Sequence, residues 1–274
     1  MKVGLHRQCV FLRALVWLGI ILILLPILLL LLWSFANRWP IPYLFPQTFT
    51  LRGWERLATG YFQIWQVMGS SIFLSLMVGI LAVLFATLAA RAICLYRFPG
   101  RKWIEGLAML PIIVPATVFG MGSYMVFIHL GVHHTLFAVI ISHLIATLPF
   151  SLRIMIETTR MTSARLEEQA RVLGANTFAG FWHGSFPALA PGLFSAWAIA
   201  FLFSYTQYFL TLLIGGGKSK TLSILVMPMI EGADQTISSV YSLVFIASAA
   251  GVFWILQGIS AKVAKRTGKQ LGGI

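Results

Sequence analysis

Six apolar segments, each about as long as a membrane-crossing helix, constrain the fold of this chain more than any other feature. A helix needs about 20 apolar residues to cross roughly 30 Å of hydrocarbon, and the segments cover residues 14–34, 70–90, 107–128, 135–156, 189–214 and 240–261. The chain is 59% hydrophobic and 10% charged, which leaves too few charges to coat a soluble domain of this size. The sequence therefore predicts an all-α integral membrane protein, with six transmembrane helices in a single domain of residues 1–274.

The basic residues indicate which side of the membrane each loop faces. If the N-terminus is cytosolic, only five of the 20 lysine and arginine residues fall outside, namely Arg38, Arg52, Arg56, Lys218 and Lys220. Because positively charged loops are retained on the cytosolic side, this bias predicts that both termini are cytosolic. The net charge of +13 has the same origin, because most of the basic residues lie in the loops that are retained on the cytosolic side of a membrane. No nucleic-acid partner is expected, since no basic face with interleaved aromatic residues lies outside the membrane-flanking loops.

A polar segment interrupts the apolar pattern between spans four and five. It reads LEEQARVLGANTFAGFWHGSFP and lies in the cytosolic loop 157–188. Thr162 or Ser163 is suited to cap a helix at its N-terminus, and Gly174 is suited to the left-handed conformation that ends a helix. The segment therefore predicts a helix that begins near Ser163 and ends near Gly174.

A second helix is predicted directly after that turn. Asn176 is suited to cap it, and Pro187 is expected to end it before span five. Phe178, Phe181 and Trp182 are spaced along one side of this helix. Together the two helices predict a compact hairpin that protrudes into the cytosol and is apolar on one flank.

The spacing in this segment resembles the EAA motif of the permease subunits of ABC importers. Glu168 and Ala170 occupy the first and third positions of the motif, Gly174 follows after three residues, and Pro187 follows after twelve more. The chain departs from the motif at Gln169, Gly184 and Phe186, where the family has Ala, Ile and Leu. The resemblance extends to the six spans and the basic loop YRFPGRK, and covers roughly residues 65–260.

The resemblance implies a type I ABC importer permease fold, with cytosolic coupling helices between spans four and five, and a place in the bacterial inner membrane. Such a permease is not an enzyme and holds no cofactor, because ATP and Mg are bound by a separate ATPase dimer. Its other partners would be a second permease subunit, identical or different, and an extracytoplasmic solute-binding protein. The resemblance is closest to the spermidine/putrescine, iron and thiamine group, and leaves open which small solute is carried.

The resemblance also assigns roles to residues of the polar segment. Glu168 would pair with a basic residue of the ATPase, Ala170 would allow a close helix approach, and Gly174 would make the turn. Phe178 and Pro187 complete the expected ATPase-coupling site.

Span five is the most polar of the predicted spans at depth. Its hydroxyl and amide side chains are Ser204, Tyr205, Thr206, Gln207, Tyr208 and Thr211. Polar groups in lipid are costly unless they pair or line a wet path. We expect these six to line the translocation path, with hydrogen bonding between helices as the alternative. Pro111 and Pro115 predict a kink in span three, which serves either as a gate beside the path or only as packing geometry.

Two further patterns carry weaker signals. The segment GGGKSKTL, residues 215–222, imitates a phosphate-binding loop, but Leu212 stands where the full pattern needs Gly. His129, His133 and His134 share a spacing that could ligate a metal, yet no carboxylate or cysteine lies nearby to complete a site. We therefore expect neither a nucleotide site nor a metal site in this chain.

Two rival functions remain. An ion-coupled secondary transporter or channel usually carries charged residues inside its spans, and no predicted span has one near its centre. An intramembrane enzyme would need a Ser/His or Glu/His pair at matching depth, and the sequence predicts none. His143, in an apolar span, fits a hydrogen-bonded structural histidine better than a proton relay.

Overall fold

The computed structural model describes residues 2–40, 42–60, 63–232 and 234–271. They fall into two compact units. The first comprises the residues up to Trp65 together with Leu225–Ala247, and the second comprises Gln66–Ile224 together with the residues from Ser248 onward.

The first unit contains a long apolar helix, followed by two short strands and a short helix. Helix α1, Lys2–Phe35, is apolar from Leu15 onward, and none of its most apolar window is buried within the chain, as expected for a surface that faces lipid. Strands β1, Ala36–Arg38, and β2, Thr48–Phe49, pair antiparallel, and helix α2, Arg52–Ala58, follows. The long helices confirm the predicted all-α class, and the short pair of strands β1 and β2 is a feature that this class did not predict.

From Ile64 onward the chain is helical almost throughout. A π-helix, Gly180–Ser185, lies between α8 and α9. The helices are α3 Ile64–Leu95, α4 Arg101–Ala108, α5 Leu110–Ile113, α6 Ala116–His129, α7 Leu136–Val172, α8 Thr177–Ala179, α9 Phe186–Tyr205, α10 Phe209–Gly215, α11 Leu222–Glu231 and α12 Gln235–Leu271.

The described residues contain five helices that are long and apolar enough to cross a membrane. They are Leu15–Phe35, Ile64–Leu95, Leu136–Thr162, Gly180–Tyr205 and Gln235–Val263. A bent pair, Arg101–Ile113 and Ala116–His129, supplies a sixth span when counted as one. The predicted number of six spans agrees with the structure when this bent pair is counted as one span, and two of the spans differ in form.

Predicted span three, residues 107–128, is not one straight helix. The chain bends by 105° between the helix that ends at Ile113 and the helix that begins at Ala116. Val114 is extended, with ψ at 128°, and Pro115 is the N-cap of α6. A residue before proline is driven out of the helical region, and proline lacks the N–H that would continue the helix. The predicted kink is confirmed, and it is sharp enough to divide the span.

Predicted span five, residues 189–214, also differs. Helix α9 ends at Tyr205, a non-helical segment covers residues 206–208, and α10 begins at Phe209. The crossing helix gains its length at the other end, where Gly180–Tyr205 is continuous. The expectation that Pro187 ends a helix is therefore wrong. Pro187 lies in the first turn of α9, directly after the π-helix Gly180–Ser185, and the helix continues through it.

The predicted helix start at Thr162 or Ser163 is also wrong, because α7 runs without interruption from Leu136 to Val172. The Thr162 hydroxyl donates a hydrogen bond of 2.6 Å to the carbonyl of Thr158, one turn earlier. Because this bond is made within α7, the Thr162 hydroxyl does not cap a new helix. The consequence is that one helix carries both span four and the first half of the polar segment.

Small residues bring α3, α7 and α9 close together in the second unit. A Cβ added at Gly192 of α9 would overlap the side chain of Thr158 in α7. Ala86 and Ala90 of α3 share a buried cluster with Met155 of α7 and with residues of α9. These three helices form the frame that holds the polar segment.

Candidate functional site

The polar hairpin, residues 166–187, is closed by a well-defined turn at Gly174. Gly174 has a φ of +84°. Its N–H donates to the carbonyl of Arg171 at 3.0 Å, and the N–H of Ala175 donates to that of Ala170 at 2.9 Å. This pair of bonds is a Schellman motif, which satisfies the last carbonyls of α7. The predicted left-handed turn is confirmed.

The second half of the polar hairpin begins at the predicted cap. The side-chain oxygen of Asn176 accepts a hydrogen bond of 2.7 Å from the N–H of Ala179. A Cβ added at Gly180 would lie 3.4 Å from the Cβ of Ala170. Ala170 therefore faces a close approach within the polar hairpin itself, while its expected role toward an ATPase stays a prediction. The backbone of Glu168 belongs to α7, and its side chain lies outside the described part of the structure.

A buried ion pair attaches the polar hairpin to α3. Arg91 of α3 contacts the carboxylate of Glu167 at 2.5 Å, and the Ser185 hydroxyl donates to the same carboxylate at 2.8 Å. The Arg91 guanidinium also lies 4.2 Å from the centre of the Phe181 ring. Sequence reasoning treated Arg91 only as a loop charge. No local signal marks the pair, because its members are 76 residues apart.

The tip of the polar hairpin is apolar and exposed. Val172 and Leu173 are 87% and 86% exposed, and Phe178 is 74% exposed. These residues lie beyond Leu136–Thr162, the part of α7 that is long and apolar enough to cross a membrane. Large apolar side chains clustered at a surface mark an interaction site. The tip therefore has the character of a contact surface for another molecule.

A second feature lies where the two broken spans meet. A cavity of about 330 Å³ is bordered by the break between α5 and α6 and by Gln207 in the break between α9 and α10. Pro111, Pro115, Phe150 and Phe203 contribute to its wall. The structure thus brings the two candidate gate prolines together with Gln207 of the candidate path. None of the residues described as bordering this cavity carries a charge.

Other polar residues of the candidate path are buried in contacts between helices. Ser204 and Thr211 lie 2.9 and 3.0 Å from the two ring nitrogens of His143. The Thr211 hydroxyl donates to the carbonyl of Gln207 at 2.6 Å, so His143 Nε2 must donate to Thr211 and Nδ1 must accept from Ser204. The prediction that His143 is hydrogen-bonded is confirmed, whereas the expectation that no Ser/His pair lies at matching depth is wrong, because His143 and Ser204 form such a pair across 61 residues of sequence.

The remaining candidate path residues differ in exposure. The Tyr205 hydroxyl lies 2.7 Å from that of Ser248, and Tyr205 is buried. Thr206 is exposed and Tyr208 is half-buried. Gln207 is the member of the predicted set that borders the cavity between the broken spans.

The comparison with known families identifies the architecture. A model of the family described as binding-protein-dependent transport system inner membrane component matches residues 82–268 of the chain. The chain belongs to this family. The permease is accordingly a membrane-spanning subunit of an ATP-driven ABC importer, and the family consists of transport components of the inner membrane rather than enzymes.

Curated relatives cover most of the permease. Spermidine/putrescine transport system permease protein PotC of Escherichia coli (strain K12) is 23% identical over 82% of this chain and 84% of its own length. The putative 2-aminoethylphosphonate transport system permease protein PhnV of Salmonella typhimurium (strain LT2) is 24% identical over 92% of both. The probable sulfate transport system permease protein cysT of Marchantia polymorpha is 26% identical over 68% and 70%.

Solved structures confirm the type I permease fold. A chain of a bacterial ABC transporter involved in the import of the acidic polysaccharide alginate matches the permease with a TM-score of 0.71 at 18% identity, over 92% of this chain and 96% of that chain. The bacterial alginate ABC transporter in complex with an alginate pentasaccharide-bound periplasmic protein matches with a TM-score of 0.67 at 15% identity, over 96% of both.

Proposed function

We propose that the polar hairpin docks the permease to a cytosolic ATPase and that solute passes along the cavity between the broken spans. The observation that carries the docking proposal is the exposed apolar tip at Val172 and Leu173. Burying one such side chain against a partner contributes about 1.5–3 kcal/mol. Because the Schellman turn fixes the tip, little conformational freedom is lost on docking.

Membership of the family supports a proposal for the complete importer. We infer that the chain acts as one permease domain, pairs with a second permease subunit and receives solute from an extracytoplasmic binding protein. Two ATPase subunits hold ATP and Mg, and this chain holds no cofactor. The charge bias of the loops supports cytosolic termini in a bacterial inner membrane.

The orientation can be tested by labelling. In a chain with Cys9 and Cys94 replaced by Ser, Ala175→Cys should react with a membrane-impermeant maleimide in inside-out vesicles only. Reaction in right-side-out vesicles would place the polar hairpin outside and contradict the docking proposal.

The path proposal concerns the cavity bordered by Gln207. Non-helical backbone at membrane depth is tolerated where it is buried in protein or lines a water-filled cavity, and two such segments border this one. We propose that its uncharged wall imposes little selection by charge, so the binding protein selects the solute. By resemblance to the family group named above, the carried solute is a small compound such as a polyamine, iron or thiamine. The names of the relatives, which include polyamine, sulfate and phosphonate transporters, support a path that accepts either sign of charge.

Substitution at the tip tests the docking proposal. Leu173→Ser should lower capture of the ATPase encoded with the permease, while the amount of permease in the membrane stays unchanged. Leu44→Ser is the matched control, because Leu44 is 85% exposed but lies in the predicted external segment. Its ATPase capture should equal that of the unaltered chain.

The alternative is that the polar hairpin lies on the membrane surface as an amphipathic element. In that case Leu173→Ser would weaken contact with lipid and leave ATPase capture unchanged. Unchanged capture, with normal transport, would overturn the docking proposal.

A further inference from the structure

The carboxylate of Glu167 is the point at which three helical elements meet. It belongs to α7, it is held by Arg91 of α3, and it accepts a hydrogen bond from Ser185 of the π-helix. Arg91 also covers the ring of Phe181 in the same π-helix. Both halves of the polar hairpin are therefore fastened to one side chain of α3.

This ion pair differs from the others among the described residues by its burial. The side chains of Arg91 and Glu167 are 15% and 6% exposed, whereas every side chain in the other ion pairs is at least 33% exposed. A buried pair is weak evidence for stability, since apolar residues of similar volume often serve as well. What a buried pair does provide is a fixed geometry, because leaving either charge alone is costly.

The positions of Arg91 and Glu167 along the chain indicate which parts of the protein this ion pair holds together. Arg91 lies one turn before α3 ends at Leu95, and α3 is one of the membrane-crossing helices. Glu167 lies about two helical turns before the turn at Gly174. The pair thus joins the cytosolic end of a span to the base of the segment that carries the exposed tip.

We propose that Arg91 is a positioning residue that locks the polar hairpin to α3, so that a displacement of the hairpin moves this span. The proposal rests on the proposed docking of the hairpin to an ATPase. The polar hairpin needs no such link to spans four and five, since it is continuous with span four through α7 and with span five through α9. The Arg91–Glu167 pair adds span two to the elements that the hairpin moves.

The first experiment measures coupling in the complete importer reconstituted in proteoliposomes. Arg91→Gln and Glu167→Gln should each lower the solute imported per ATP hydrolysed by about tenfold, with ATPase capture and ATP hydrolysis retained. Arg91→Lys keeps the charge but loses the forked hydrogen bonding and the ring contact, so its loss should be smaller. Arg97→Gln and Glu157→Gln remove exposed charges of the same types and should leave the ratio unchanged.

A second arm needs no ATPase. Spin labels at Tyr96 and Leu173, in a chain without Cys9 and Cys94, report the distance between the end of α3 and the hairpin tip. Arg91→Gln should broaden this distance distribution in the membrane-embedded permease.

The outcomes separate the two proposals. A wild-type import ratio in both Arg91→Gln and Glu167→Gln, or an unbroadened distance distribution, overturns the locking role. Loss of transport in strict proportion to loss of permease from the membrane also overturns it, because the pair would then serve stability alone. A broadened distribution in a permease whose tip captures no ATPase supports the lock and counts against the docking proposal instead.

Discussion

Substitution of Gly174 separates the effect of backbone strain from that of side-chain volume. Its φ of +84° lies in the left-handed region, and an added Cβ would meet no atom within 4 Å. An L-residue in this conformation costs about 1–2 kcal/mol, whereas asparagine tolerates it better. The loss of ATPase binding should therefore be smallest for Gly174→Asn, larger for Gly174→Ala and largest for Gly174→Val, although Asn is larger than Ala.

The expected magnitude follows from the population of the closed turn. If the polar hairpin binds only with this turn formed, the apparent Kd rises by the inverse of the competent fraction. A strain of 1–2 kcal/mol corresponds to at most about a 5- to 30-fold rise for Gly174→Ala. Gly174→Val should exceed this, because a β-branched residue is a strong outlier at positive φ. The two hydrogen bonds of the Schellman motif oppose the loss and make these values upper limits.

The assay is binding of the purified ATPase to the permease in nanodiscs, with the permease in the membrane quantified for each variant. Gly100→Ala is a matched control, because Gly100 has a φ of +83° and equally open surroundings but lies outside the polar hairpin. It should leave the Kd unchanged. The reasoning fails if Gly100→Ala weakens binding as much as Gly174→Ala, or if the Ala variant binds better than the Asn variant.

Three predictions concern stability, measured as unfolding in detergent. His143→Leu leaves two buried hydroxyls without the ring nitrogens and should cost about 1–3 kcal/mol; an unchanged midpoint would show that the hydroxyls find other partners. Gly192→Ala should cost about 1–3 kcal/mol through overpacking, whereas Gly251→Ala, with open space around it, should not destabilise. Arg52→Ala breaks an exposed pair with Asp234 and should change stability by less than about 1 kcal/mol; a larger loss would contradict its exposure.

The features that sequence reasoning predicted correctly depend on neighbours along the chain. Hydropathy predicted a span at residues 70–90, which lies within α3, Ile64–Leu95. A long apolar run can be recognised without knowing which helices pack against it. The turn at Gly174 and the cap at Asn176 were predicted from the residue types that such positions need, and both hydrogen-bonding patterns are present. Hydrogen bonds of this kind join residues within a few positions of each other, so a short stretch of sequence is enough to predict them.

The features that were wrong or missed depend on contacts between distant residues or on competition between local signals. Thr162 is a good capping residue, but its hydroxyl bonds back to Thr158 and α7 continues. The partners of His143 are 61 and 68 residues away, so no pattern along the chain distinguishes them from path-lining residues. Arg91 was invisible as a site residue for the same reason. Burial and pairing become apparent only when the helices are packed together.

The two helix breaks argue for a path more strongly than the polarity of any single residue. Each break interrupts the helical hydrogen bonds of a span, and the backbone groups that it frees must find other partners, as the Gln207 carbonyl does with the Thr211 hydroxyl. The break at Val114 and the break that contains Gln207 border the same cavity. Non-helical backbone at membrane depth is tolerated where it is buried in protein or lines a water-filled cavity, and a cavity that both breaks border is what a path for solute between the spans requires.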